Sequence, residues 1–228
     1  MKIFRNTIAM TMAVTILLAL FGIAFGYSTP AAGAAEKAAE VKYAPVTSGA
    51  YNLDPAHSTI GFAVRHLEIN WVDGRFKDFT GTINFDEKDV TRSTVNFTAK
   101  IESIDTEVAQ RDEHLRSADF FDAEKYPELK FVSTKIEKRG GKDRYTLIGD
   151  LTIKDVTKQV SVPFTYTGAV SDPWGGTRFG IEGSTRINRR DFNINYGNAL
   201  PFGGFDVGNE VSIILKLEAV KAQPAAAE

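Results

Sequence analysis

The chain has 228 residues, of which 43% are hydrophobic and 25% charged, a composition typical of globular proteins and not of disordered or fibrous ones. Its 27 basic and 29 acidic residues include no dense basic patch, which excludes the electrostatic footprint of a nucleic-acid-binding protein. The absence of cysteine excludes disulfides, thiolate chemistry and lipid attachment to an N-terminal cysteine.

The N-terminal segment predicts a secretory signal peptide. Lys2 and Arg5 precede an apolar run over residues 8–26, and an A-x-A-like site follows at residues 32–34. We therefore expect residues 1–34 to be removed and the protein to be exported. The apolar run is also long enough to span a bilayer, so an uncleaved anchor in the inner membrane is the alternative.

One domain is predicted for the rest of the chain. Residues 35–48 are rich in alanine and predict a flexible linker, and residues 221–228 predict a flexible tail. The intervening residues 49–220 are numerous enough to form a single hydrophobic core.

Alternation of apolar and polar residues with period two dominates this domain and predicts about eight β-strands. The regular segments are 79–86, 94–102, 145–154, 160–167, 179–188 and 211–218, and the less regular ones are 57–67 and 128–138. Turn sequences such as KRGGKD and SDPWGG separate them, which predicts an antiparallel sandwich or barrel. Glycines within strands favour a barrel because they permit tight bends, although periodicity alone leaves the choice open: Gly61, Gly81, Gly149, Gly180 and Gly183.

A helix is predicted only at residues 107–115, with Asp105 or Thr106 as its N-cap. The sequence RDEHLRSADFF, residues 111–121, begins within it and concentrates two arginines, three carboxylates and one histidine. We interpret Arg111, Asp112 and His114 as bonding to one another and to nearby strand or loop groups. The helix is then expected to cover an end of the sheet with Leu115, Phe120 and Phe121.

Sites of catalysis or metal binding are weakly indicated. The histidines at 57, 66 and 114 form no HxH or HExxH pair, so we expect no metal. GxSxG, GxGxxG and P-loop sequences are absent. Asp112 and His114 are the remaining candidates for a hydrolase-like site, but the adjacent Arg111 favours an ionised Asp112 rather than a raised pKa. We therefore expect no catalytic residues.

Sixteen phenylalanines, many at inward strand positions, predict an apolar interior with almost no ionisable group. Closed eight-stranded barrels are either filled by their own side chains or hold one small ligand, and the sequence does not decide between these states. Export, an apolar interior and the missing catalytic set together favour a lipid carrier. A ligand-free, stress-related scaffold with a solid core is the alternative.

The order of several longer sequences resembles one known family, the YceI-like, polyisoprenoid-binding proteins. The sequences that carry this resemblance are YNLDPAHSTIGFAVRHLEI, VDGRFKDFTGTINFD, IESIDTEVAQRDEHLRSADFFDAEKYPELKFVSTKI, YTLIGDLTIKDVTKQVSVPF and INRRDFNI. Together they extend over about residues 51–218, which is nearly the whole domain. The resemblance implies a lipocalin-like, extended antiparallel β-barrel in the periplasm, with a long apolar pocket for a polyprenyl chain or an isoprenoid quinone. It implies no catalytic residues and no cofactor.

These observations lead to the hypothesis of an exported protein that transports, stores or sequesters an isoprenoid lipid. The residues expected to line the lipid tail are Phe62, Val64, Phe97, Leu151, Phe164, Phe179 and Ile181. A polar head is expected near His57, Asp112 and His114. A hydrolase-like enzyme that uses Asp112 and His114 on a lipid-like substrate is the alternative. Transient membrane contact is expected during transfer of the lipid. The sequence does not determine the oligomeric state, and a homodimer is one of the alternatives.

Overall fold

The structure is a computed structural model that describes residues 41–223. The predicted signal peptide, the apolar run at 8–26, the first part of the linker and the end of the tail lie outside the described residues. Within residues 41–223, none of the helices combines the length and the apolar character that a membrane crossing requires.

The described residues form eleven β-strands and one α-helix, in agreement with the predicted all-β class. The elements are β1 (Gly49–Leu53), β2 (Thr59–His66), β3 (Asn70–Phe76), β4 (Phe79–Phe85), β5 (Thr94–Lys100), β6 (Ile104–Asp105), α1 (Ala109–Arg116), β7 (Glu128–Lys138), β8 (Arg144–Ile153), β9 (Val156–Ser171), β10 (Thr177–Asn188) and β11 (Val207–Lys221). Three short 3₁₀ segments lie at Val90–Arg92, Ile101–Ser103 and Arg189–Phe192.

Eight of the strands close into an antiparallel barrel in the order β1-β4-β5-β7-β8-β9-β10-β11, and β11 pairs with β1 to complete the ring. The long strand β11 also pairs with β2 over Val207–Lys216, before its last residues pair with β1 at Tyr51–Leu53. Strands β2, β3 and β6 therefore extend the wall beyond the ring. The predicted barrel of eight strands with one helix is confirmed.

The eight strands predicted from periodicity are not the eight strands of the ring. All eight predicted segments form strands, but β2 lies in the extension, and β1, which lacks a clear alternation, closes the ring. The pattern also misses β3, with the sequence NWVDGRF. The alternation in β3 is weak because the outward face carries the apolar Trp71, which is 39% exposed, and the inward face includes Gly74, which has no side chain.

Helix α1 begins later than predicted, and neither predicted N-cap is correct. Val108 is the N-cap and makes no side-chain capping bond. Asp105 instead belongs to β6 and pairs with Arg75 of β3, and Glu107 has a left-handed φ of 66° that separates strand from helix. The long-range pairing of β6 with β3 therefore overrides the local capping signal.

The antiparallel order places the connections of the barrel at two ends. The helix end is formed by α1 with its flanking residues 101–127, by the loop 189–206 and by the β2–β3 turn at 67–69. The far end is formed by the turns at 86–93, 139–143 and 172–176 and by the segment 41–48.

The segment 41–48 packs against the barrel, although composition predicted a linker there. The backbone N–H of Ala44 donates to the carbonyl of Ala169 at 2.7 Å, and the Tyr51 hydroxyl donates to the carbonyl of Thr47 at 2.9 Å. Val46 packs against buried core residues. The folded domain therefore begins before residue 49.

Gly149 of β8 shows why one of the strand glycines is required. A Cβ atom at Gly149 would lie 2.4 Å from Cζ of Phe131 and 2.5 Å from the backbone oxygen of Val132. The aromatic ring of Phe131 therefore occupies the space above Gly149. Gly180 of β10 has a different role, because it lies opposite a bulge of β9, where Thr167 is the extra residue and would contact a Cβ at Gly180.

We expect Gly149→Ala to lower the free energy of unfolding by about 1–3 kcal/mol, because the added methyl group overpacks against Phe131 and a fixed backbone oxygen. Gly140→Ala is the matched control, since no atom lies within 4 Å of a Cβ at Gly140. Its effect should stay within about 0.5 kcal/mol. Urea unfolding of both variants measures the difference, and equal effects would contradict the packing argument.

Candidate functional site

A cavity of about 670 Å³ runs through the barrel between its two ends. Its wall includes Val46 and Tyr145 at the far end and Leu115 and Tyr196 at the helix end. The volume lies within the range of about 300–1,000 Å³ that is usual for small-molecule sites. The interior is therefore open, a point that the sequence left undecided. An open interior contradicts the solid core of the scaffold alternative.

All seven apolar residues predicted for the tail site line this cavity: Phe62, Val64, Phe97, Leu151, Phe164, Phe179 and Ile181. They come from β2, β5, β8, β9 and β10. Alternating residues of a strand point to one face, so the period-two pattern identified the inward face of each strand correctly. Their contact with a ligand stays a prediction.

The segment after α1 supplies further apolar wall, as predicted. Leu115, Phe120 and Phe121 line the cavity, and the ring centroid of Phe121 lies 6.1 Å from that of Phe76 on β3 in an edge-to-face arrangement. Tyr196, in the loop between β10 and β11, was missed because that loop has no periodic pattern. Tyr196 belongs to a cluster of three aromatic rings at the helix end, in which the centroids of Phe120 and Tyr196 lie 4.7 Å apart.

His114 lies in the wall of the cavity at the helix end, as predicted. Its Nε2 is 2.9 Å from Oδ2 of Asp119, and its ring packs edge-on against Phe120 and Tyr196 at centroid distances of 5.0 and 4.9 Å. The carboxylate and the two rings hold the imidazole in one orientation.

Asp112 does not line the cavity, which corrects its assignment to the head-group site. The buried carboxylate of Asp112 accepts two hydrogen bonds from Thr106, one from its backbone N–H at 2.9 Å and one from its hydroxyl. Arg111 donates from Nε to the Thr106 hydroxyl and from Nη2 to its carbonyl, each at 2.7 Å. Thr106 therefore links Arg111 and Asp112, and neither bonds to His114 as the sequence interpretation supposed. The Asp112–His114 pair that a hydrolase would need is not formed.

His57 also lies outside the cavity wall, a second correction. It belongs to the turn between β1 and β2, where Oδ1 of Asp54 accepts from the backbone N–H of Ala56 and Oδ2 lies 2.9 Å from Nδ1 of His57. The side chain of His57 is 61% exposed on the outer surface. The local turn geometry directs it away from the interior.

Arg178 organises the charges around this turn. Its Nη1 donates to Asp54 at 2.7 Å and to Glu218 at 2.5 Å, and its Nε donates to Asp172 at 2.8 Å. Within residues 41–223, Asp54, His57 and Glu218 form the one group with metal-ligand spacing. Because Arg178 already compensates both carboxylates of that group, we interpret it as an ion-pair network and assign no metal to it.

The pKa of Asp54 is lowered to about 2 despite the opposing effect of burial. The hydrogen bond with His57 contributes most to this shift, and the hydrogen bond with Arg178 contributes less. The hydrogen bond with Arg178 likewise lowers the pKa of Asp172. These carboxylates are therefore ionised partners of Arg178 at neutral pH.

Comparison with known proteins identifies relatives of the whole domain. Residues 51–219 match the family described as the YceI-like domain. Protein YceI of Escherichia coli O157:H7 is 41% identical over 176 residues, which cover 75% of this chain and 86% of that protein. The resemblance that the sequence motifs indicated is confirmed.

Solved structures support the same fold. BcnA of Burkholderia cenocepacia is 27% identical and superimposes with a TM-score of 0.64, over 73% of this chain and 98% of that one. A polyisoprenoid binding domain from Saccharophagus degradans, implicated in plant cell wall breakdown, superimposes with a TM-score of 0.56 over 75% of this chain and 98% of that one. At 12% identity, this second likeness establishes the fold alone.

We expect Asp112→Ala to lower the free energy of unfolding by about 1–3 kcal/mol, because it leaves two buried donors of Thr106 without an acceptor. Asp119→Ala is the control, since the side chain of Asp119 is 59% exposed and its bond to His114 lies at the surface. Its effect should stay within about 1 kcal/mol. Chemical denaturation measures both, and an effect of Asp112→Ala no larger than that of the control would contradict the structural role.

The lowered pKa of Asp54 predicts a pH dependence of stability. The folded state holds the proton of Asp54 less tightly than the unfolded state does. Ionised Asp54 therefore stabilises the fold at pH values above its ordinary pKa of 3.8, and this stabilisation disappears as the pH falls to about 2. Wild type should therefore have a higher free energy of unfolding than Asp54→Asn at neutral pH, and this difference should become smaller below pH 3.8. Urea unfolding across this pH range measures the difference; a constant difference would disprove the assignment.

Proposed function

Because the chain belongs to the YceI-like family, we propose that it binds an isoprenoid lipid within its barrel and acts as a binding protein rather than an enzyme. The observation that carries this proposal is the cavity of about 670 Å³, whose wall consists mainly of aliphatic and aromatic side chains. A wall of this kind suits a hydrocarbon chain and offers few polar groups to a hydrophilic ligand.

The size of the hydrophobic effect supports a chain-like ligand. Each buried CH₂ group contributes about 0.8 kcal/mol, so a few isoprene units contribute roughly 10 kcal/mol before the costs of association are subtracted. A ligand bound in this way leaves slowly and survives purification. The name of the Saccharophagus degradans domain, which has the same fold, adds support for an isoprenoid as the ligand.

We further propose where the protein acts and what it does with its lipid. The basic start and apolar run of residues 1–34 favour export to the periplasm, with anchoring in the inner membrane as the alternative. There the protein carries, stores or sequesters its lipid, which is a polyprenyl derivative or a quinone with an isoprenoid tail. Uptake or release of such a ligand requires transient contact with a membrane.

Native mass spectrometry of the purified protein, followed by organic extraction, tests this function. We expect one isoprenoid lipid per protein molecule, and protein that stays empty when polyprenol is supplied would refute the proposal. Phe97→Asp should reduce lipid retention by about tenfold or more, because it places a carboxylate in the apolar wall.

Val132→Asp is the matched control for this variant. Val132 lies on β7, the strand paired with β5, and its side chain is 51% exposed on the outer face. The control should retain its lipid at the wild-type level. Circular dichroism confirms that both variants fold, and equal retention by the two variants would remove Phe97 from the binding site.

A further inference from the structure

The far end of the cavity is covered by a segment that belongs to no strand. Residues 43–48 form neither a helix nor a strand, and three consecutive members, Ala44, Pro45 and Val46, line the cavity. We call residues 43–48 the strap. Because the strap lies over the cavity, its displacement opens the cavity to solvent at the far end.

The first half of the strap is attached to the barrel at few points. Within residues 41–223, the bond from the backbone N–H of Ala44 to the carbonyl of Ala169 is the one backbone–backbone hydrogen bond between the strap and the strands. The ring of Tyr43 packs over Gly168, where a Cβ atom would lie 2.1 Å from Cε1 of Tyr43. Tyr43 is nevertheless 63% exposed, so this ring contact covers only part of the side chain.

The second half of the strap is fixed more firmly and forms a hinge. The backbone N–H of Ser48 donates to Oε2 of Glu87 at 2.8 Å, and the backbone N–H of Glu87 donates to the hydroxyl of Ser48 at 2.9 Å. The carbonyl of Thr47 accepts from the Tyr51 hydroxyl at 2.9 Å. Gly49 follows with a φ of 141°, a value that residues with a side chain rarely adopt. The direction of the chain is therefore set at this point, and the residues before it can turn about it.

Opening of the strap costs less than opening of the barrel wall. Of the strap residues only Ala44 and Val46 are partly buried, and Val46 is the one that packs against the buried core. Neighbouring strands are instead joined by ladders of backbone hydrogen bonds, such as the uninterrupted pairing of β8 with β9. Segments with few buried apolar contacts and an exposed backbone open locally, at a small fraction of the free energy of global unfolding.

The cover of the helix end is held differently. Phe120, in the segment that follows α1, is buried, and the backbone N–H of Phe121 donates to the carbonyl of Leu115 at 3.1 Å. The buried bonds between Thr106 and Asp112 hold the helix itself. The far end is therefore the end of the cavity that opens at the lower cost.

We propose that residues 43–46 are a gate through which the ligand enters and leaves the cavity. This inference rests on the proposed function. In the closed state these residues cover the far end, and in the open state they turn away about residues 47–49. Because passage of the ligand requires opening, the rates of uptake and of release are both proportional to the population of the open state.

Ala44→Pro tests the gate, because proline lacks the N–H group that bonds to Ala169. Stopped-flow fluorescence measures the uptake and release of geranylgeraniol that carries an anthraniloyl fluorophore. We expect both rates to rise about fivefold, the factor that corresponds to the loss of one hydrogen bond, while the dissociation constant stays that of wild type. The dissociation constant is unchanged because the free and the loaded protein gain the same fraction of open state.

Lys42→Pro is the matched control, because the backbone N–H of Lys42 donates to no carbonyl within residues 41–223. Its uptake and release should proceed at wild-type rates. Tyr43→Ala removes the ring over Gly168 and should also accelerate both steps. Circular dichroism confirms folding, and Tyr43→Ala carries the test if Ala44→Pro does not fold.

The kinetic outcomes separate the gate from lipid binding itself. Wild-type rates in both Ala44→Pro and Tyr43→Ala would overturn the gate and leave lipid binding intact. A higher dissociation constant with an unchanged rate of uptake would also overturn it, because the strap would then act only as part of the binding wall. Wild-type protein that fails to bind the labelled lipid would overturn the gate together with the proposed function.

Hydrogen exchange tests the opening of the gate without a ligand. The backbone amide of Ala44 should exchange faster than that of Phe121, since the first belongs to the strap and the second to the cover of the helix end. Equal protection of the two amides would contradict an opening confined to the far end.

Discussion

The architecture depends on a single long strand that has more neighbours than a barrel requires. β11 bonds to β10 along one edge, and along the other edge it bonds first to β2 and then to β1. Its last residues close the eight-stranded ring, and its first residues carry the extension of β2, β3 and β6. Because β6 leads directly into α1, the helix is placed at one end of the cavity by the same pairing that lengthens the wall.

The charged helix serves the fold and the cavity with different residues. Asp112 and Arg111 both bond to Thr106 and so attach the helix to the end of β6. Leu115 contributes apolar wall, and His114 is held by Asp119 at the cavity surface. The sequence RDEHLRSADFF, which looks like an acid–base site, therefore serves mainly to hold the helix in place.

An apolar cavity with polar ends combines affinity with orientation. Burial of a hydrocarbon tail supplies most of the binding free energy but does not favour one direction of the tail. The charges of Arg111 at the helix end and of Glu87 and Asp143 at the far end make the two ends of the cavity different. The Arg178 network lies outside the cavity and contributes to the stability of the wall instead of to binding.

The sequence by itself determined the strands with regular alternation and the face that each turns inward, because that alternation follows from the local geometry of a strand. Residues such as Phe97 and Leu151 were therefore placed correctly, and the longer motifs identified the family. Only the tertiary structure decided which strands close the ring, that the interior is open, that His57 and Asp112 lie outside it and that Arg111 and Tyr196 lie in its wall. Those properties depend on pairing between distant strands and on the paths of loops, and neither leaves a periodic signal in the chain.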